Sequence, residues 1–576
     1  MYMKLKYILG ASLALGLCTS CIDETTPKDD SMIDRQVQGN ASAMSALTTG
    51  IVEHLIKVNT VYGGSDEYDM GYPGLGMTRD MYTSDFPIYN TTYDYFTYWE
   101  EAKYLGGDYA PAYIAWNFYY QMINNTHSIL RLTPTEDTKA YFGIAHYYRA
   151  MAYLDMARLY EYKKTGDATN DAAADKDSIY GLTVPIITES TTEAEASNTP
   201  RATFYDMYRF ILDDLDTAEE YLADYTRTTK DMPNLSVVYG LKARLYLELG
   251  TRFEQNPDDV TTVAESGVDL GASTAVEAYN LAASYADKAI TTSGATPLTE
   301  SEWYGGNDYT TGFNTKTVSS WLLGVAINKE DLSDSEWRNF TGHMSSEQFF
   351  GVGGIYYNST SQKYSNLYGA QHLIGASLYK SISDLDWRKS TWISPDDAGK
   401  ESAKSKYKTK VADGHFAALP AYASFKFRPG SGEATSYSTG AAVDYPLMRV
   451  EEMYFIRIEA KAAAGDLATA KSELQSFMNT YRYNIPLYVC RASDLESFRT
   501  ELMLQKRIEF WGEGIIAFDY KRLNMQVVRT YDGSNFPSNA QIDSNEGYCA
   551  KWLNLYIPNT ECGRNAAIKP NPDPSH

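Results

Sequence analysis

The stretch TKAYFGIAHYYRAMAYLDMARLY, residues 138–160, decides the fold. Apolar or small side chains at Ala145, Tyr148, Ala152, Met156 and Leu159 recur at spacings of three and four, which line one side of an α-helix. Tyr147, Met151 and Leu154 form a second row beside the first, so this helix is expected to be buried on more than one face. Alanines set among tyrosines suit helix-on-helix packing, because a ring on one helix needs a shallow place on its neighbour. The same texture returns at 239–249 (YGLKARLYLEL), 278–290 (AYNLAASYADKAI) and 454–464 (YFIRIEAKAAA). These recurrences predict an array of stacked helices, an architecture that reaches 576 residues as one body because each pair covers its neighbour.

Outward from that stretch, a first helix is expected over 41–58, and Pro111 suits the opening turn of a helix running to Leu130 that would pair with it. The glycine-rich, polar run 63–76 is expected to be non-helical. Thr203 is a good N-cap for a helix with the stripe Phe204, Tyr208, Ile211, Leu215, Ala218 and Leu222. Its acids Asp213, Asp214, Asp216, Glu219 and Glu220 are read as a solvated face. From 297 to 445 the helical grammar breaks down, with strands expected at 321–327 (WLLGVAI) and 421–427 (AYASFKF). Trp321 is assigned to the core. Helices return after Pro446: 448–464 pairs with 467–481 across Gly465 and a capping Asp466, and a last helix spans 498–511.

The formal charge of -23 with no concentrated basic patch argues against nucleic acid as a partner. Tyrosine stands out, with 49 residues where ordinary usage of roughly 3% gives about 17. Many rings fall in two loops, 82–104 and 336–368, that have no helical or strand period and are therefore hard to bury on one face. Sugar rings stack on exposed aromatics while their hydroxyls need nearby polar groups, so these loops are the candidate ligand surface.

For catalysis the sequence offers little. The seven histidines show no metal spacing, and no nucleophile-elbow or phosphate-loop motif occurs. Glu509 and Glu513 lie one turn apart, and carboxylates on one helix side cannot flank a glycosidic bond from opposite faces. Together with Arg507, Asp519, Lys521 and Arg522 they read as interhelical ion pairs. No catalytic residue, metal ligand or cofactor is assigned, although a structural calcium among the many Asp and Asn residues is left open.

Residues 1–20 read as a secretory leader, too short to span a membrane, and Cys21 at its end is the expected site of acylation. Acyl chains contribute about 0.8 kcal/mol per buried methylene and would hold a large body at a membrane. The acidic, polar run 21–40 is a tether. Cys490, Cys549 and Cys562 remain, an odd number, with a Cys549 to Cys562 bridge open.

Taken in order, the Cys21 leader, AHYYRAMAYLDMARLY followed by GLTVP, RATFYDMYRFILDDLDTAEEYL, GLKARLYLELG, YPLMRVEEMYFIRIEAKAAAGDLATAKSELQSFMNTYR, QKRIEFWGEGIIAFDYKRL and the tail LNLYIPNTECGRNAAIKPNP resemble the SusD/RagB family of Bacteroidetes outer-membrane lipoproteins. Gln505 and Lys506, where the family often has Glu-Arg, and Ile515 and Ile516, in place of a common His-Arg, are departures. The resemblance implies a mainly α fold of four tetratricopeptide-like helix pairs, with an irregular loop and short-strand insertion carrying the ligand face. It divides the chain into a leader (1–20), a lipidated tether (21–40), an N-terminal helical part (41–296), the insertion (297–445) and a C-terminal part (446–576). It also implies display on the outer membrane and delivery of a nutrient, most often an oligosaccharide, to a SusC-like TonB-dependent transporter without chemistry. The family's ligand residues vary with the ligand, but the resemblance sets an aromatic platform in the two loops named above. The candidates are Trp99, Trp337, Tyr356, Tyr357 and Tyr368, backed by Tyr89 and Asn358. A glycoside hydrolase, and a scaffold or peptide-binding lipoprotein, stand as alternatives.

Overall fold

The computed structural model describes residues 37, 40–58, 68–89, 96–306, 308–332, 339–351, 353–366, 371–407 and 409–575. Its helices include, in chain order, α1 (Ala41–His54), α2 (Gly71–Met81), α3 (Phe96–Glu100), α4 (Ala110–Leu130), α5 (Lys139–Tyr160), α6 (Phe204–Tyr221), α7 (Leu235–Gln255), α8 (Ala275–Ser293), α9 (Phe340–Met344), α10 (Val450–Ala463), α11 (Leu467–Tyr481), α12 (Leu495–Glu509) and α13 (Ile516–Arg522), with further helical pieces between. Four pairs stack in succession: α1 with α4, α5 with α6, α7 with α8, and α10 with α11. Among the described residues no helix is long and apolar enough to cross a membrane.

As its two apolar rows require, α5 is buried on nearly every face. That burial includes two charged side chains, each of which therefore needs a full set of partners. Asp155 receives hydrogen bonds from the Tyr72 hydroxyl (2.9 Å), the Tyr119 hydroxyl (3.0 Å) and Arg158 (2.5 Å). Arg149 makes a two-pronged pair with Asp214, at 2.8 and 2.7 Å. Asp214 is thus a core residue of the α5/α6 contact, not part of a solvated face, while Asp216 and Glu219 on the same helix hold Lys242 of α7. Close approach within a pair uses small residues, as at Gly250, where a Cβ would come within 2.6 Å of the Tyr279 ring.

Two expectations fail for identifiable reasons, and one open question is closed. The segment expected to be non-helical contributes α2, since its glycines serve close packing: a Cβ at Gly76 would lie 2.8 Å from the Tyr445 hydroxyl, and Gly71 (φ 68°) turns the chain so that the Tyr72 amide reaches the Leu55 carbonyl at 2.7 Å. Residues 421–427 make only isolated bridges, Ala423 to Leu373 and Ser424 to Trp392, because Tyr422 sits at φ 72° and Lys426 dives into the interior. The cysteines at 490, 549 and 562 are all free.

The insertion adds three two-stranded antiparallel sheets: β1 (Ile88–Tyr89) with β5 (Gln371–His372), β2 (Trp321–Val325) with β6 (Tyr445–Arg449), and β3 (Ile355–Asn358) with β4 (Lys363–Asn366). What fastens it to the helices is a buried ion network. Glu509, at the end of α12, accepts from Arg482 (2.7 and 2.9 Å), Arg388 (2.9 Å) and Arg449 (3.2 Å). One loop onward, Glu513 accepts from Arg449 (2.8 Å) and Lys426 (2.6 Å). Glu451 of α10 takes the Leu298 amide (2.7 Å) and a contact from Arg449 (2.9 Å), and Asp386 holds Arg388 (2.6 Å). The cluster balances Arg388, Lys426, Arg449 and Arg482 against Asp386, Glu451, Glu509 and Glu513, all of them buried.

Removing one partner from such a cluster leaves an uncompensated charge in a dry interior. Glu509→Gln is expected to lose about 3–5 kcal/mol of stability, read as a lower urea midpoint at unchanged slope; a loss under about 1 kcal/mol would contradict the account. A pH dependence follows as well. Burial pushes the His372 imidazole down to about 4, so the folded chain keeps it neutral where an unfolded chain, near 6.5, takes up a proton. Stability from this group is full above about 6.5 and falls as pH drops toward 4. His372→Asn keeps a donor for the His343 carbonyl (2.9 Å) but cannot titrate, and should flatten that part of the stability profile.

Candidate functional site

Pairing of β1 with β5 sets Tyr89 opposite Gln371, and the Gln371 amide donates to the Gly353 carbonyl at 3.1 Å. Phe96 of α3 meets the rings of His343 (5.3 Å) and His372 (6.3 Å). These contacts join the two aromatic loops, although they are more than 200 residues apart in the chain.

The proposed rings fare differently. Trp99 is buried at 3% exposure, wedged against Tyr68 (5.2 Å) and Phe96 (5.0 Å) beside a void of about 20 Å³. It is a core residue and offers no platform, because the short helix α3 turns its apolar side inward. Tyr89 (40%) and Tyr357 (51%) are exposed. Tyr357 projects from the β3/β4 hairpin 5.0 Å from the half-buried Tyr364, which Gly414 admits: a Cβ there would crowd the ring. Behind them His415 is fully buried, its Nε2 3.1 Å from the Ser346 carbonyl, and burial lowers its pKa. Asn358 is committed locally, since its Oδ1 accepts the Thr360 (3.0 Å) and Ser361 (2.9 Å) amides of the hairpin turn. Tyr356 pairs in β3 opposite Ser365. The Tyr356 side chain, Trp337, Tyr368 and Cys21 lie outside the described residues.

A feature absent from the candidate set stands on α3 and the loop that joins it to α4. Tyr98, Tyr104 and Tyr109 are 43%, 45% and 43% exposed and stand edge to face in a row, with ring centroids 5.3 and 5.0 Å apart. Two non-glycine residues of this loop, Ala102 (φ 53°) and Tyr104 (φ 57°), adopt left-handed backbone, which costs of order 1–3 kcal/mol each and concentrates at functional loops. The C-terminal tail holds the loop in that shape. The Leu105 amide donates to Ser575 Oγ (2.8 Å) and the Asn559 amide to the Gly107 carbonyl (3.0 Å). A Cβ at Gly106 would collide with the Asp573 carboxylate, and one at Gly107 with Tyr556 and Asn559. Lys103, paired with Glu101 at 2.6 Å, and the exposed Asp108 supply polar groups beside the rings. The pattern KYLGGDY carried the available signal, for two tyrosines flanking a glycine pair can hardly both be buried in one regular element.

Chemically, this face can stack flat apolar surfaces and hydrogen-bond hydroxyls. The carboxylates that could have posed as a catalytic pair, Glu509 and Glu513, are sealed inside the ion network. Among the described residues no group of three His, Cys, Asp or Glu is placed to hold a metal ion.

Comparison with known proteins finds two family matches in tandem: a SusD-like family described as starch-binding and associating with the outer membrane, over residues 40–247, and the SusD family, over residues 352–572. No curated protein matches the chain. Solved structures share the fold over most of its length. A SusD-like carbohydrate binding protein from Bacteroides vulgatus is 21% identical, with a TM-score of 0.64 over 92% of this chain and 97% of its own. A SusD superfamily protein from Bacteroides thetaiotaomicron is 16% identical, with a TM-score of 0.63 over 92% and 99%. One from Parabacteroides distasonis is 16% identical, with a TM-score of 0.60 over 92% and 98%.

Burial separates the aromatic candidates in a measurable way. Trp99→Ala is expected to cost about 3–5 kcal/mol, whereas Tyr357→Ala should stay within about 0.5 kcal/mol of the parent in urea unfolding. Equal effects would show that the two rings are not differently placed.

Proposed function

The chain belongs to the SusD family, and from that premise we propose that it is a glycan-binding protein held at the outer membrane through an acylated Cys21. In this reading it displays its ligand face on the cell surface and passes an oligosaccharide to a SusC-like TonB-dependent transporter without altering it. The observation that carries the reading is the row Tyr98, Tyr104, Tyr109, exposed, mutually packed and held around left-handed backbone at Ala102 and Tyr104. A protein has little reason to hold three tyrosines half in water at such a conformational cost unless a ligand covers them. Tyr89 and the Tyr357 hairpin extend the same chemistry across the paired loops, and Lys103 and Asp108 provide donors and acceptors for hydroxyls. A neutral glycan suits a chain of formal charge -23, which would repel polyanions.

The reading is tested by titrating the mature chain against a panel of neutral oligosaccharides and analysing the sugar afterwards. Binding with the sugar recovered intact is the expected result. Replacing Tyr98, Tyr104 and Tyr109 together by alanine should weaken the best ligand at least tenfold, as loss of about 1 kcal/mol or more of stacking at each of several rings requires. Undiminished affinity in that variant would remove the tyrosine row from the site, and shortened sugar would favour the hydrolase alternative.

A further inference from the structure

A cleft of about 780 Å³, in the range of small-molecule sites, opens where the end of α5, the start of α6, the end of α7 and α13 meet. None of its lining residues comes from the aromatic loops. Its polar groups are of two kinds. Most charges are already matched: Arg252 faces Glu161 and Asp259 (2.9 Å), Arg522 holds Glu459 (2.6 Å) and Asp519 (2.7 Å), and Lys521 donates to the Leu159 (2.8 Å) and Leu553 (2.9 Å) carbonyls. Three lining groups lack a full set of hydrogen bonds. Asn524 Oδ1 and Arg158 Nε are buried with no hydrogen-bond partner among the described residues. No hydrogen bond from a described residue reaches the Glu248 carboxylate either, and its nearest cation is Arg158 Nη1 at 3.8 Å.

Leaving a buried donor or acceptor unmade costs about 1–3 kcal/mol, a cost borne by Asn524 Oδ1 and Arg158 Nε, and these groups together with the Glu248 carboxylate line one opening that suits a polar occupant. They ask for complementary things: two acceptors need donors and one donor needs an acceptor. The small group that supplies both is the hydroxyl. A simple anion would face the Glu248 carboxylate and a simple cation the Arg158 guanidinium, so neither suits the set. Tyr548, 44% exposed, offers a ring to stack on at the cleft wall.

We propose that this cleft is a second binding site, for a short neutral oligosaccharide, separate from the tyrosine surface and built from the helical array itself. It differs from the tyrosine surface in kind, being a walled opening whose hydrogen bonds to hydroxyls do most of the recognition. Burial also raises the Glu248 carboxyl pKa, a penalty that donation from sugar hydroxyls would reduce.

The test uses the mature chain with maltotriose, cellotriose and xylotriose as probes, in calorimetry and in crystals soaked with each. Glu248→Gln combined with Asn524→Gly removes a charge and an acceptor, and glycine suits the left-handed backbone at 524 (φ 51°). Thr262→Trp, at an exposed position on the cleft wall, blocks entry without touching the interior. The expected result is electron density for a probe in the cleft, with affinity there lowered about tenfold or more by either change and unaffected by the triple alanine variant of the tyrosine row. Density confined to the tyrosine loops, an empty cleft with every probe, or affinities unmoved by both cleft changes would overturn the proposal. The tyrosine reading stands or falls separately, on the triple variant.

Discussion

Four cations and four anions with almost no access to water set the terms for this molecule. Arg449 sits at their centre, reaching Glu451, Glu509 and Glu513 at once. Dehydrating such groups is so unfavourable that the cluster tolerates only a nearly complete set of partners. The partners come from every part of the C-terminal half: 386, 388 and 426 from the insertion, 449 from β6, 451 from α10, 482 beyond α11, 509 from α12 and 513 from the following turn. Attraction at short range holds the Glu509 carboxyl far below the ordinary carboxylate range, Arg482 and Arg449 outweighing the burial that opposes them. The irregular insertion is thereby positioned by side-chain charge, since a stretch with only two-stranded pairings could not fix itself by backbone hydrogen bonds.

That anchoring explains how loops can carry strained and exposed side chains. Left-handed backbone at Ala102 and Tyr104 survives only where the surroundings over-determine it. Here the tail from Pro558 to Asp573 closes over the glycine pair, while Arg529, buried, ties the carbonyls of Met81 (2.7 Å), Thr83 (3.1 Å) and Glu100 (2.5 Å) together beneath the same loop. Burying this guanidinium against carbonyls and the Phe536 and Trp552 rings is itself costly, and burial pushes its pKa down to about 10. Its position links the end of α2, the start of the aromatic loop and the C-terminal segment in one contact.

The helical half was legible because its signals are local. Periodicity in α5, the Thr203 cap and the Gly465 and Asp466 turn each involve residues within a few positions of one another, and each reads as the structure has it. What misled were residues whose role is set by partners far along the chain. The glycines of α2 look like loop residues until Gly514 and Tyr445 are placed against them. Asp214 looks solvated until Arg149 arrives from α5. Trp99 looks like a platform because it is large and lies among polar neighbours, yet Tyr98, beside it, takes the exposed position. On so short a helix, adjacent residues point in different directions, and no period exists to tell which is which.

Tyrosine excess then acquires two explanations that coexist. Inside the array, Tyr72, Tyr119 and Tyr153 bury their rings and use their hydroxyls to satisfy Asp155 and the Ile187 carbonyl, so each fills a gap between helices and meets a buried polar group at once. At the loops, the same side chain presents a flat apolar face with few rotatable bonds, which loses little entropy when a ligand covers it. Phenylalanine could fill the same space but would take two hydrogen bonds from Asp155, and tryptophan would serve the second role at larger apolar exposure. One residue type thus meets the needs of a helical core that holds buried polar groups and of a water-exposed surface for hydroxylated ligands, which is why composition alone could flag the chemistry but not assign a single ring.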